Sequence, residues 1–251
     1  MFAQSVARAG FGALVGLCLV AAAGCGGAGG GGGSGGGGAG KAAATANVPT
    51  KLPSGATLGC AEAPADSCVY GGAASAPAGL KAVNINTKIS ADMFKLQDPL
   101  TLVTDKAAPG GKYIALPTGT GGTSALGGDA AVAVTVPQDG YYVIWAGTQS
   151  GDTTTGTDSL FLGFDSTGPS ADIDHVWSLN PDNTWHQNDS TGGCVQLVHA
   201  GKNDAPNGCD TWHFKKGVLV IHLSGREDDS RVAWLDVAPA SAAKPLGDAR
   251  G

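Results

Sequence analysis

The sequence predicts an all-β fold, an antiparallel β-sandwich, for the greater part of the chain. Short segments in which apolar and polar residues alternate are frequent, and turn-forming residues separate them. Apolar residues at helical spacing are rare. Only 14% of the residues are charged and 42 are glycines, which suits many strands joined by tight turns.

The strand pattern is clearest in the middle and at the end of the chain. A valine stands at every second position from 132 to 136, and a turn at residues 137–140 leads into the strongest strand. There Tyr142, Ile144 and Ala146 share one face, which we expect to lie toward the core. Trp145 and Phe161 lie in strong strands and are also expected in the core. The predicted strands are residues 83–85, 100–103, 112–116, 130–136, 141–146, 159–164, 217–223 and 232–237.

The first 24 residues have the layout of a secretory signal. Residues 1–8 carry one positive charge and no acid, and residues 9–23 are small and apolar but too few to span a bilayer. The run ends in Ala22-Ala23-Gly24-Cys25, which resembles the bacterial lipobox. It predicts cleavage before Cys25 and a lipid anchor on that cysteine. The alternative is an ordinary signal peptide followed by a chance cysteine.

A glycine-rich spacer follows the signal and separates it from the predicted folded domain. Residues 26–40 are almost all glycine, and such a coil of ~15 residues spans roughly 20 Å. A phosphate-binding loop is excluded because no Gly-Lys-Ser/Thr ending follows. The predicted divisions are the signal (1–24), the lipidated cysteine with spacer and a small disulfide loop (25–80), the sandwich (81–239) and a disordered tail (240–251).

The net charge limits the classes of molecule that the protein could bind, and the cysteine content indicates the cellular compartment in which it folds. A formal charge of −6 argues against nucleic acid, which requires clustered Lys and Arg. Besides Cys18 in the signal and Cys25, four cysteines remain, and an even number in an exported chain favours two disulfides. Local pairing, the simplest of three connectivities, joins Cys60 to Cys68 and Cys194 to Cys209. A zinc site is the alternative, although no Cys-x-x-Cys is present.

Six short motifs, in order, resemble the carbohydrate-binding modules of families six and thirty-five, which are jelly rolls. They cover about 150 residues. The motifs are Ile89-Ser90-Ala91-Asp92; Asp105 with Gly110-Gly111-Lys112-Tyr113-Ile114; Val134-Thr135-Val136-Pro137 with Gly140-Tyr141-Tyr142; Asp158-Ser159-Leu160-Phe161 with Phe164-Asp165; Gly217-Val218-Leu219-Val220-Ile221 with Arg226-Glu227-Asp228; and Leu235-Asp236-Val237. We expect Arg226 and Glu227 to be a structural pair, because a guanidinium near a strand end often fixes a turn.

The resemblance implies a structural calcium ion that is bound jointly by the acidic strand that opens the domain and by the Asp of the strand that closes it. Asp92 and Asp236 match those positions, whereas Ser90 stands where the first Glu would be. The loss of one carboxylate lowers the expected affinity, since calcium takes several oxygen ligands at once. The alternative is that both are ordinary acids at strand ends.

The resemblance also implies a sugar-binding cleft with aromatic walls. Flat aromatic rings stack on the apolar faces of sugars, and amides bond the hydroxyls. The predicted residues are Tyr113 in the hairpin, Trp177, Asn183 and Trp185 in a loop, and Trp234, which replaces the family's Asn two residues before the closing Asp. This replacement adds an aromatic wall or blocks the pocket.

The motifs of catalysis are missing from the sequence. The five histidines form no metal-binding pattern, and no Gly-x-Ser-x-Gly motif occurs. We therefore predict a non-enzymatic lipoprotein of the bacterial cell envelope that binds a polysaccharide. Because Gly26 rather than Asp follows Cys25, its expected location is the outer membrane. The alternative is an envelope module that holds another protein and binds no sugar. Convergence of the four aromatic residues on one open cleft would favour sugar binding. Burial of all four would favour the protein-interaction alternative.

Overall fold

The computed structural model describes residues 47–54, 56–59, 69–121, 127–153, 156–164, 175–179, 181–187 and 210–241. All of them belong to the unit Thr45–Gly251. In this part of the chain, no helix is both long enough and apolar enough to cross a membrane. The chain is folded into two β-sheets, and the predicted β-sandwich is confirmed.

The first sheet has two long strands, β9 (Gly140–Gln149) and β15 (Arg231–Pro239), at its centre. Its order is β1-β13-β9-β15-β7-β6, with β12 beside β9, β2 beside β13 and β4 beside β15. The strands are β1 (Thr57–Leu58), β2 (Val69–Gly71), β4 (Ile89–Ser90), β6 (Thr101–Thr104), β7 (Lys112–Ala115), β9 (Gly140–Gln149), β12 (His186–Gln187), β13 (Asp210–Lys215) and β15 (Arg231–Pro239).

The second sheet has the order β11-β10-β14-β8-β3, with β5 beside β8. Its strands are β3 (Val83–Asn84), β5 (Lys95–Gln97), β8 (Gly127–Val136), β10 (Ser159–Phe164), β11 (Val176–Ser178) and β14 (Gly217–Gly225). The long neighbours are antiparallel in both sheets, and only short strands at the margins pair in parallel. Among the described residues, two short 3-10 helices, Ala91–Met93 and Pro109–Gly111, lie between strands of the first half.

The main core lies between the two sheets and is built from alternate residues of each strand. Tyr142, Ile144 and Ala146 of β9 are fully buried in it, as predicted. From the second sheet, β8 contributes its alternating valines and β10 contributes Leu160, Leu162 and Phe164. Phe161 is also buried, as expected. Trp145 is buried too, but it belongs to a separate cluster on the opposite face of the first sheet.

The sandwich begins before the boundary predicted at residue 81. Val48 is buried against Gly140, whose missing Cβ would lie only 2.4 Å from a Val48 methyl carbon. The Tyr141 N–H donates to the Pro49 carbonyl at 2.9 Å. β1 and β2 then extend the first sheet along β13. These segments escaped prediction because two or three residues are too few to show an alternating pattern.

Candidate functional site

A second apolar cluster covers the outer face of the first sheet. It is formed where β9, β15 and β7 turn their other alternate side chains away from the main core. The cluster contains Ala108, Tyr113, Ala115, Val143, Trp145, Ala233, Trp234 and Ala238, with Val103, Trp185 and Ala240 packed against it. The outer face of the sheet is therefore largely filled by its own side chains.

Trp234 lies inside this outer cluster and offers no exposed wall. Its side chain is 1% exposed. A Cβ on Gly147 would come within 2.2 Å of the Trp234 Nε1 atom, so the indole lies directly on the bare backbone of β9. The Lys88 Nζ atom lies 5.0 Å from the centre of the ring. The prediction that Trp234 contributes to the sugar cleft is corrected: it packs over the sheet.

Trp177 is in the main core and is likewise 1% exposed. The segment predicted as a loop forms β11, in which Trp177 pairs with Leu160 of β10. Pairing at the edge of the second sheet turns the indole between the sheets. The prediction that Trp177 binds sugar is therefore corrected as well.

Tyr113 and Trp185 do come together. Their ring centres are 5.7 Å apart with an interplanar angle of 58°, a tilted contact that aromatic pairs favour. Tyr113 is 8% exposed, whereas Trp185 is half-buried at the rim of the outer cluster. Asn183, two residues before Trp185, is exposed and has a positive φ of 54°. Four of the five predicted sugar-binding residues thus lie on the outer side of the first sheet, although Trp234 is buried there, and only Trp177 lies between the sheets.

A chain of polar side chains borders the aromatic pair, and no motif in the sequence predicted it. Arg231 donates two bonds to the Asp229 carboxylate, at 3.0 Å and 2.6 Å, and a third to the Gln149 Oε1 atom at 2.9 Å. The Gln149 Nε2 group donates to the Asn183 carbonyl at 2.8 Å and to its Oδ1 atom at 3.1 Å. Arg231 also lies over the Tyr113 ring, at 5.3 Å.

We call this assembly the Trp185 patch. It consists of Tyr113, Gln149, Asn183, Trp185, Asp229 and Arg231. Its residues come from β7, the end of β9, the loop before β12, the turn before β15 and the first residue of β15. A sequence signal existed only for Asp229 and Arg231, two charges of opposite sign that flank a single serine before an apolar strand. Nothing in the sequence connects them with Gln149.

The charges of the patch are paired within the protein. Hydrogen bonds to Asp229 raise the pKa of Arg231, so the guanidinium stays charged and directed at that carboxylate. On the loop before β12, Asp182 contacts the His186 Nε2 atom at 2.8 Å. Burial acts to raise the pKa of Asp182, but hydrogen bonds with Thr184 and His186 together outweigh it and hold that pKa below its ordinary value. Both carboxylates therefore have a partner already.

The two residues predicted for calcium, Asp92 and Asp236, lie in different environments. Asp92 is exposed and accepts hydrogen bonds from Lys112 at 2.8 Å and from the Ser90 hydroxyl at 2.5 Å. Those two bonds lower the pKa of Asp92. Asp236 is fully buried in β15. Among the described residues, no three His, Cys, Asp or Glu side chains are grouped for a metal. Calcium binding by Asp92 and Asp236 stays a prediction from the resemblance.

A pair of carboxyl groups lies near the start of β10. Arg226 forms an ion pair with Glu227 and donates to the Ser159 hydroxyl, which confirms the predicted structural pair. The Asp158 N–H donates to the Glu227 Oε2 atom at 3.1 Å. Burial and the neighbouring Glu227 raise the pKa of Asp158 to about 6. In glycoside hydrolases the two carboxyl groups are separated to flank the scissile bond, whereas these interact directly and serve the turn.

A pocket beside this pair is unsuited to sugar. Glu227 and Ser230 border a small pocket with a volume of ≈ 20 Å³. Most of its other lining residues are leucine, isoleucine and valine. Such a surface lacks the several polar groups needed to bond sugar hydroxyls.

Replacing Asp158 by asparagine should stabilise the protein more at pH 8 than at pH 5. A carboxyl whose pKa rises on folding holds its proton more tightly in the folded state, so its favourable contribution is present at low pH. That contribution is lost as pH rises through about 6. Asparagine keeps a neutral donor toward Glu227 at every pH. After solvent screening, we expect the gain to be about 1 kcal/mol larger at pH 8.

The measurement is urea unfolding of both proteins at pH 5 and pH 8. Thr157→Ala, one residue earlier in the same turn, is the control, because that change removes no titrating group. A constant difference in stability between the Asp158→Asn protein and the native chain at both pH values would contradict the pairing.

The predicted lipid and disulfide positions lie outside the described residues. They are Cys25, Cys60, Cys68, Cys194 and Cys209. The lipid anchor and the two disulfides therefore stay predictions.

Comparisons with known proteins give similar folds only among solved structures. No protein-family model matches the sequence, and no curated protein matches it. A family 35 carbohydrate-binding module from Clostridium thermocellum is 14% identical, with 60% of this chain and 95% of that chain covered and a TM-score of 0.40. The carbohydrate-binding module CBM6cm-2 from Cellvibrio mixtus lichenase 5A, solved with cellotriose, is 16% identical, with coverages of 61% and 97% and a TM-score of 0.40.

An enzyme is also among these structures. The exo-β-1,3-galactanase of Phanerochaete chrysosporium, solved with β-1,3-galactotriose, is 15% identical over 60% of this chain but only 29% of its own, with a TM-score of 0.38. Modules of both families that the sequence motifs resemble are thus among the structures to which this chain is similar.

Proposed function

We propose that the sandwich is a non-catalytic module that binds a polysaccharide at the Trp185 patch. The observation that carries the proposal is the half-buried Trp185 indole, which is supported by Tyr113 and bordered by the amides of Asn183 and Gln149. An indole face packs against the C–H face of a sugar ring, and amides bond its hydroxyls. The patch combines these two elements on a rigid sheet.

The contact between Tyr113 and Trp185 determines how a sugar would bind. Two rings that hold a sugar between them need about 7–8 Å of separation, because each face contributes a van der Waals contact of roughly 3.5–4 Å. At 5.7 Å the rings touch each other. A glycan would therefore lie against the outer side of Trp185, and Tyr113 would fix the indole from behind.

The paired charges favour a neutral glycan. The Arg231 guanidinium is engaged by Asp229 and Gln149, so little positive charge is left for a uronic acid. Gln149 donates to the Asn183 Oδ1 atom, which directs the Asn183 amide nitrogen away from Gln149, where it can donate to a hydroxyl.

The test is a binding assay on an array of neutral and acidic polysaccharides, with the full chain in detergent. We expect Trp185→Ala to weaken binding to the recognised glycan about tenfold or more, since it removes the stacking surface. Tyr141→Ala is the matched control. Tyr141 is a half-buried aromatic residue on the same strand, stacked on His213 at 4.9 Å at the opposite end of β9.

The two variants separate the outcomes. Equal binding by the native chain and the Trp185→Ala protein would place the sugar elsewhere. Loss of binding in both variants would indicate a general loss of structure, which circular dichroism would detect. Absence of binding to every glycan would refute carbohydrate binding.

We propose further that lipid on Cys25 tethers the protein to the bacterial outer membrane. The signal layout and the Ala22-Ala23-Gly24-Cys25 sequence support it. The described chain begins at Asn47, whose carbonyl accepts a 2.7 Å bond from Ser241, near the start of β9. Gln149 of the patch ends the same strand, about 30 Å away at the usual rise per residue. Asn47 therefore lies at the end of β9 opposite the Trp185 patch. Cys25→Ser should shift the protein from the membrane to the soluble fraction.

A protein-interaction module is the second candidate, and burial is the observation that favours it. Tyr113, Trp177 and Trp234 are each less than a tenth exposed, so only Trp185 of the four predicted aromatic residues is accessible. If no glycan binds, crosslinking in intact cells should capture an envelope protein, and Trp185→Ala should reduce its yield.

A further inference from the structure

Asp236 is a carboxylate buried on the outer face of the first sheet. It is 0% exposed and pairs with Trp145 in the register of β15 and β9. Its neighbours Leu235 and Val237 point into the main core, so Asp236 points to the opposite side, into the outer cluster. A carboxylate this deeply buried keeps its charge only if a cation or several donors compensate it.

The register of β4 and β15 brings Lys88 to this carboxylate. Trp234 pairs with Ser90 and Leu235 with Ile89, so Lys88, the residue before Ile89, lies close to Asp236, the residue after Leu235. The Lys88 Nζ atom lies 5.0 Å from the Trp234 ring centre. Since Trp234 and Asp236 share the outer face, the lysine side chain runs along that face.

We propose that the Lys88 ammonium is the counter-ion of Asp236 and takes the place of the calcium ion that the sequence resemblance implies. Each of the two acidic residues of that implied site has a lysine nearby. Asp92 is bonded to Lys112 at 2.8 Å, and Lys88 lies near Asp236 on the outer face. The sandwich is therefore folded and stable without a divalent metal, with a monovalent cation supplied by its own chain.

The two pairs differ in importance because they differ in burial. The side chains of Lys112 and Asp92 are 42% and 41% exposed, and an ion pair open to water contributes little. Asp236 is enclosed, and Lys88 is half-buried against an indole that also attracts its charge. Removal of Lys88 should therefore be much more damaging than removal of Lys112.

The first test compares thermal unfolding of the full chain with calcium and with EDTA. We expect the same Tm within about 1 °C, because no calcium-dependent stabilisation by mass action arises without a site. Terbium is the direct probe, since this calcium analogue emits when bound near tryptophan. We expect no sensitised emission from the native protein. A Tm that rises with calcium, or terbium emission that calcium displaces, would overturn the proposal.

The second test is a double-mutant cycle. Lys88→Met keeps the length of the side chain and removes the charge, and we expect the Tm to fall by about 10 °C. Asp236→Asn should also lower it, and the double variant should lose much less than the two losses together, because the partners are removed at once. Lys112→Met is the matched control, with a fall of less than about 3 °C. Additive losses in the cycle would refute the pair, and the metal measurements on the native chain decide the question if a variant does not fold.

Discussion

Replacing Trp177 by alanine is expected to lower the free energy of unfolding by about 3–5 kcal/mol. The indole is among the largest fully buried side chains and fills the space between the sheets beside Leu160 and Leu179. Truncation removes its burial and leaves a cavity that the paired strands β10 and β11 cannot close.

The matched change is Trp185→Ala, which truncates the same residue type eight positions later. Trp185 is half-buried at the rim of the outer cluster, so we expect a loss of about 1–2 kcal/mol. Urea unfolding followed by circular dichroism measures both. Similar losses for the two variants would show that Trp177 is not enclosed as the structure has it.

Asp129→Ala should have the second large effect, a loss of about 3 kcal/mol. Asp129 and His222 are 2% and 6% exposed on the outer face of the second sheet. The His222 Nδ1 atom lies 2.9 Å and 3.1 Å from the two carboxylate oxygens. The Nε2 atom of His222 is buried and has no hydrogen-bond partner among the described residues. Alanine at position 129 would leave both ring nitrogens of the imidazole without a partner in a dry environment.

Asp129→Asn is the control that separates hydrogen bonding from charge. The asparagine Oδ1 atom can still accept a bond from Nδ1, so a loss of about 1 kcal/mol is expected at pH 7. Guanidinium chloride unfolding compares both variants with the native chain. If the alanine and asparagine variants are equally stable, the bond between Asp129 of β8 and His222 of β14 does not stabilise the pairing of these two strands.

Local alternation predicted the long strands correctly. The valines of β8 and the residues Tyr142, Ile144 and Ala146 of β9 show period two without interruption, and each set lies in the main core. The strand β13 was not predicted. It contains Asp210, His213 and Lys215, and its polar residues conceal Trp212 and Phe214, which are fully buried. Tertiary pairing with β9 overrides the weak local pattern there.

The aromatic residues show where local pattern stops being informative. Period two separates the faces of a strand but does not say whether the second face meets water, a ligand or another cluster. Trp177 and Trp234 were predicted to bind sugar. The pairing of β11 with β10 turns Trp177 into the main core, and Trp234 packs against the backbone of Gly147, which has no side chain. Both outcomes depend on a neighbour that is distant in the sequence.

Residues close together in the chain were enough to predict the sandwich class, its long strands, the turn before β9 and the Arg226–Glu227 pair. The Trp185 patch, in contrast, could be recognised only from the folded chain. Its bond from Gln149 to Asn183 spans 34 positions and its bond from Arg231 to Gln149 spans 82. Such contacts follow from strand order and register, which arise when distant segments bury their apolar faces together.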